Sequence, residues 1–214
     1  MTNKPLFGPG GNSESFYAEG FKSTLQAPGW LAARGLGAYE YQAGNGLTAG
    51  LPTLAKIGEK AREHGIAMSL HAPYYISLSG VDPEKRLKSI DYVTRSLEAA
   101  EALGADTIVV HTGSAAKISR EEAMSLAADT LERLCAVLDT DYAGRFGGIR
   151  IGLETMGKLN QLGTLEEVLT LCAISPRFAP VVDFGHLNAR EQGRFVGADD
   201  YRAVFTAVAD ALGE

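Results

Sequence analysis

Four stretches of this 214-residue chain share one local pattern: a short apolar run stops, and the next residue is of a type that binds metal ions. Ser69-Leu70 leads to His71, and Val109-Val110 leads to His111. Gly152-Leu153 leads to Glu154, and Val181-Val182 leads to Asp183, with His186 three residues later. Imidazole nitrogens and carboxylate oxygens together make a mixed donor set suited to zinc or a similar divalent ion. A lone histidine after a buried strand is ordinarily a hydrogen-bonded structural residue. A lone Glu154 or Asp183 could equally cap a helix or pair with an arginine. Four such positions in one register are hard to assign to chance. His64 stands apart: in Arg62-Glu63-His64-Gly65 it closes a helical run and reads as solvent-facing.

Ligand candidates 40, 43 and 29 positions apart can meet only if the intervening chain returns each time to the same place. Short apolar runs at 5–8, 37–41, 66–70, 107–110, 149–153 and 179–182 read as strands. Longer amphipathic patterns at 13–26, 51–64, 82–103, 119–138, 164–172 and 199–212 read as helices. Thr164 and Ser119, each followed by acidic residues, mark helix starts, and Gly65 and Gly104 mark helix ends.

Alternating strands and helices imply βαβ units on a parallel sheet, in the α/β class. A doubly wound open sheet and a TIM (β/α)8 barrel both satisfy that pattern. A barrel needs eight units and ~250 residues. Six are legible here, so the barrel reading expects one domain over residues 1–214 that lacks its last two βα units. In a barrel all strand C-termini open on one face, where active sites are built. The ligand candidates would then line a single pocket.

Hydrophobic residues make up 45% and charged residues 21%, ordinary values for a soluble globular protein. No run approaches the ~20 apolar residues of a membrane span, and no secretory signal is visible at the N-terminus. Cys135 and Cys172 lack CxxC spacing and read as buried thiols in a reducing compartment, so a cytoplasmic monomer is expected. The formal charge of −6 argues against a protein that coats nucleic acid non-specifically, without excluding a local basic patch. Bound divalent ions would add positive charge at one place.

Four motifs, taken in order, resemble the metal-site motifs of the endonuclease IV family. They are His71-Ala72-Pro73-Tyr74-Tyr75-Ile76-Ser77-Leu78, Val110-His111-Thr112-Gly113, Leu153-Glu154-Thr155-Met156 and Val182-Asp183-Phe184-Gly185-His186. Leu162-Gly163-Thr164-Leu165-Glu166-Glu167 fits the same pattern, and the resemblance covers roughly residues 66–190. It implies a TIM-barrel hydrolase with up to three zinc ions that cleaves DNA 5′ to abasic sites in base excision repair. Under it His71 and His111 hold one zinc. Glu154, as catalytic carboxylate, bridges to a second zinc that Asp183 also binds, and His186 serves the third. Manganese or iron would be accepted by the same ligand types.

The family's loop after its second strand enters DNA with an Asn-Pro-Arg segment; here the equivalent is Gln42-Ala43-Gly44-Asn45-Gly46, without an arginine. Tyr74 and Tyr75 match a DNA-facing loop and would stack on a base or sugar. Arg190 and Arg194 would contact phosphate on the same face. Packed aromatics and solvated arginines are the plainer readings of those four residues. The Gly-rich segment 7–12 lacks the Gly-Lys-Ser/Thr of a phosphate loop and reads as a tight turn. Two other functions fit the same residues: a metal-dependent sugar isomerase or epimerase of this barrel superfamily, and a non-catalytic metal-binding fragment.

Overall fold

The computed structural model describes residues 4–213. Five strands form one parallel sheet: β1 (Ala38–Gln42), β2 (Ala67–His71), β3 (Thr107–His111), β4 (Arg150–Glu154) and β5 (Phe178–Val181), in spatial order β1-β2-β3-β4-β5. The helices are α1 (Glu14–Ala18), α2 (Ala27–Ala32), α3 (Leu51–Glu63), α4 (Pro83–Leu103), α5 (Arg120–Thr140), α6 (Leu165–Cys172), α7 (Phe184–Arg190) and α8 (Ala198–Leu212).

The strictly sequential strand order decides between the two folds. A doubly wound sheet reverses its order at a switch point and carries helices on both faces. When each strand pairs with its predecessor, right-handed crossovers all fall on one face. Accordingly α3 packs on α4, α4 on α5 and α5 on α6, in a continuous outer layer. The sheet is the wall of a barrel, and among the described residues it does not close on itself.

Strand parity then separates core from site. Leu70, Val110 and Leu153 point to the helix layer and are essentially inaccessible. There they meet Leu54, Leu97, Leu131 and Leu134, each removal from water contributing about 1.5–3 kcal/mol. Successive side chains alternate faces, so the next residues, His71, His111 and Glu154, must point to the concave side. Each is the last residue of its strand rather than the first beyond it.

Two expected elements differ. Residues 5–8 form no strand; instead Phe7 O accepts from the Gly37 and Ala38 amides, Pro9 O accepts from Glu40, and Gly11 N–H donates to Glu40 O. One parallel bridge, Gly10 to Glu40, is all that forms. Pro9 has no N–H to donate, so the segment lies along the β1 edge without a regular ladder. The helix expected over 13–26 is reduced to α1 and a 3-10 turn at Thr24–Gln26, and α2 follows directly after that span. Gly20 sits at φ +90°, which ends α1's course, and Pro28 starts α2 in its first turn.

Helix α3 crosses α4 at Gly58, where a Cβ would lie 2.3 Å from the Leu103 carbonyl oxygen. No side-chain rotation relieves a clash with backbone. Gly58→Ala should therefore destabilise the fold by about 1–3 kcal/mol, the usual range for overpacking. Urea denaturation checks this, and an unchanged midpoint would contradict the close approach.

Candidate metal centre

His71, His111 and Glu154 end adjacent strands, and His111 pairs in register with Glu154. Their ligand atoms lie within 4.8 Å of one another, and a second group of Glu154, Asp183 and His186 satisfies the same limit. Glu154 belongs to both. Its Oε2 is 3.1 Å from His111 Nε2 and 3.5 Å from His71 Nε2, while its Oε1 is 3.7 Å from His186 Nδ1. The two strand-end imidazoles meet edge to face, with centroids 5.2 Å apart.

Hydrogen-bond chemistry fixes two of the ring tautomers. His71 Nδ1 lies 2.8 Å from the Ala72 carbonyl oxygen. A carbonyl only accepts, so Nδ1 carries the proton of the neutral ring and leaves Nε2, the nitrogen facing Glu154, with its lone pair. His186 Nδ1 is likewise held by Thr155 O at 2.9 Å, which leaves its Nε2 unprotonated in the neutral ring. Such a second bond to a carbonyl orients metal-ligating histidines and raises their basicity.

Asp183 and His186 are placed by α7 and by Thr155, a fully buried residue after Glu154. Asp183 caps α7, its Oδ1 accepting from the His186 amide at 2.7 Å, and Oδ2 lies 3.4 Å from His186 Nδ1. The Asp183 amide donates to Thr155 Oγ1 at 2.9 Å, and the hydroxyl donates back to Asp183 O at 3.3 Å.

A divalent cation fits this arrangement. Glu154 Oε2 is buried and has no hydrogen-bond partner. A buried carboxylate oxygen without a donor costs about 1–3 kcal/mol or more. Burial acts to raise the Glu154 pKa, yet His111 and His71 outweigh it and hold the carboxyl at about 2. Burial acts to lower His71, but Glu154 and the Ala72 carbonyl carry it above its ordinary value. A cation would give the orphaned oxygen a partner and the imidazole lone pairs an acceptor at the same point.

His71, His111, Glu154 and His186 line a cavity of about 860 Å³ at the strand C-termini. Gln42, Asn45, Lys158 and Gln161 also line it, although only their place in the fold marks them. Of the expected DNA contacts, Tyr74 lines the cavity and bonds Asn45 through its hydroxyl. Tyr75 stands beside it, half exposed, with its ring edge-on to Tyr92 at 4.8 Å. Arg190 is turned inward, onto the carbonyls of Met156 (2.8 Å), Lys158 (2.8 Å) and Gln161 (2.5 Å). Arg194 pairs with Glu191 at 2.9 Å and lies over the Phe195 ring. His64 is exposed at the end of α3, and Cys135 and Cys172 are free, with burial raising the Cys172 thiol to about 12.

A family profile described as xylose isomerase-like TIM barrel matches residues 29–213. An uncharacterized protein of Methanocaldococcus jannaschii is 28% identical over 73% of this chain and 56% of its own length. A probable endonuclease 4 of Acholeplasma laidlawii is 35% identical over 50% of this chain and 36% of its own length. The chain therefore spans about half the length, or less, of these relatives. Among solved structures, endonuclease IV from Thermus thermophilus superposes with TM-score 0.62 at 23% identity, over 89% of this chain and 68% of that one. D-psicose 3-epimerase from Clostridium cellulolyticum gives TM-score 0.67 at 14% identity, over 86% and 65%. At such identities the likeness concerns the fold.

Protons and metal compete for the same nitrogens. In the metal-free chain the raised His71 pKa contributes stability that is complete below its unfolded value, roughly 6.5, and is lost as pH rises through the folded value. Metal affinity runs the other way, tightening up to about tenfold per pH unit for each proton displaced. Zinc titration calorimetry across that range reads the slope, and a pH-independent affinity would contradict the assignment.

Proposed function

The chain belongs to the xylose isomerase-like TIM barrel family, and on that premise we propose that it is a divalent-metal-dependent phosphodiesterase acting on DNA at abasic sites. The observation that carries this reading is the Glu154 carboxylate, which belongs both to the group with His71 and His111 and to the group with Asp183 and His186. A neutral histidine cannot span two cations, whereas a carboxylate can. The probable endonuclease 4 relatives support the DNA substrate.

In this reading His71, His111 and Glu154 hold one ion and Glu154, Asp183 and His186 another; zinc suits both sets. Bound divalent ions supply an acidified water and neutralise the attacked phosphate and the departing oxygen. The chain's own residues do the rest. Ala72 O and Thr155 O keep the His71 and His186 rings oriented with a lone pair free. Asp183 keeps Oδ2 available because Oδ1 is engaged as the α7 cap. Lys158, the only lysine or arginine lining the cavity among the described residues, attracts the phosphate. Tyr74 offers a ring at the rim for a base or sugar to stack on.

A specific observation favours a second reading, a sugar epimerase. Gln42, Asn45 and Gln161 bring three side-chain amides to the cavity wall, where they suit the hydroxyls of a small polyol. The fold likeness to D-psicose 3-epimerase agrees with it.

Zinc-loaded protein should nick a duplex carrying one abasic site 5′ to the lesion, with cleavage lost in His111→Ala. Retained metal with no nicking, and interconversion of a ketose at C3, would replace the nuclease reading by the epimerase one. Lys158→Ala should weaken binding of the same duplex and lower the slope of log affinity against log salt by about 0.9, the share of one phosphate contact. An unaltered slope would remove Lys158 from the substrate path.

A further inference from the structure

The two halves of the site are held by different means. His71, His111 and Glu154 are ends of hydrogen-bonded neighbouring strands. Asp183 and His186 lie beyond β5, the last strand of the sheet, on a helix of seven residues. A helix that short has little stability of its own, so its angle to Glu154 must be set from outside.

Arg190 stands one turn after His186 on α7, and its side chain is half-buried. Three of its N–H groups donate to the carbonyls of Met156, Lys158 and Gln161, all in the loop that follows β4. That loop is itself fixed. Thr112 Oγ1 donates to Leu162 O at 2.9 Å, the Ala115 amide donates to Asn160 O, and Arg120 donates to Leu159 O and Gln161 O. The Met156 amide donates to Gly163 O across the loop, and Gly163 sits at φ +128° with no room for a Cβ. Gly157 touches His186 directly: a Cβ there would lie 3.2 Å from the ring's Cδ2.

We propose that Arg190 is a positioning residue, whose guanidinium latches α7 to the loop 155–163 and thereby sets Asp183 and His186 against Glu154. The inference rests on the two-ion reading of the site. A lysine cannot replace the latch, because one ammonium group lacks the planar fork that reaches three carbonyls from fixed directions. The phosphate-binding role that its sequence position suggests would draw on the same guanidinium, of whose five N–H groups the fold commits three.

The test is long-range 15N–1H NMR of the imidazole rings in the metal-free protein, together with zinc-binding stoichiometry. In Arg190→Lys, His186 should lose its fixed Nδ1–H tautomer while His71, held by Ala72 O, keeps its own. Zinc binding should fall from two ions per chain to one. Gly157→Ala, whose Cβ would press on the His186 ring from the loop side, should reproduce the selective change at His186. An unaltered His186 ring in Arg190→Lys overturns the proposal, and so does equal disturbance of His71 and His186, which would mark general loosening. These readouts need no DNA, so failure to cleave abasic duplex bears on the proposed function and leaves the latch standing or falling by its own data.

Discussion

A carboxylate buried among three imidazoles governs the arrangement of this molecule. Glu154 is 6% exposed, and its inner oxygen faces two imidazole nitrogens without a well-formed hydrogen bond. Removing a charged group from water is costly unless opposite charge or directed donors replace the lost solvation. Everything around Glu154 can be read as the means of supplying that replacement. Two strands bring histidines to one oxygen, and a helix beyond the last strand brings a third to the other.

The geometry follows from elementary properties of a parallel sheet. Side chains alternate faces, so a leucine or valine that closes the core at one position obliges its successor to face the concave side. Leu70–His71, Val110–His111 and Leu153–Glu154 are the same two-residue device used three times. Sequential strand order places the three devices side by side, and the strand directions bring them out at the same end.

Beyond Glu154 the chain changes method. The β4–α6 loop is irregular, and the guanidinium groups of Arg120 and Arg190 supply donors to its Met156, Lys158, Leu159 and Gln161 carbonyls. Buried or half-buried backbone oxygens demand donors, and arginine supplies several at once from a planar group. The same residues that satisfy the loop therefore join α5 and α7 to it. Cavity-lining residues such as Lys158 and Gln161 gain fixed positions as a consequence of that backbone satisfaction.

Much of the candidate site was legible in the sequence because its signals are local. Apolar runs ending in His71, His111, Glu154 and Asp183 mark both a strand and a candidate ligand within a few residues, and Ser119, Thr164 and Gly104 declare helix ends through capping chemistry that also acts locally. The failures have physical causes too. Proline and an edge position reduced 5–8 to an irregular segment, and Gly20 broke a pattern that periodicity alone continued through. The order of the strands, and hence the barrel wall, belongs to tertiary structure, because βαβ alternation is common to both competing folds. So does the fate of Arg190. Its residue type suits a phosphate and a carbonyl equally well, and only the folded loop, which sets three carbonyl oxygens within reach of one guanidinium, decides which it serves.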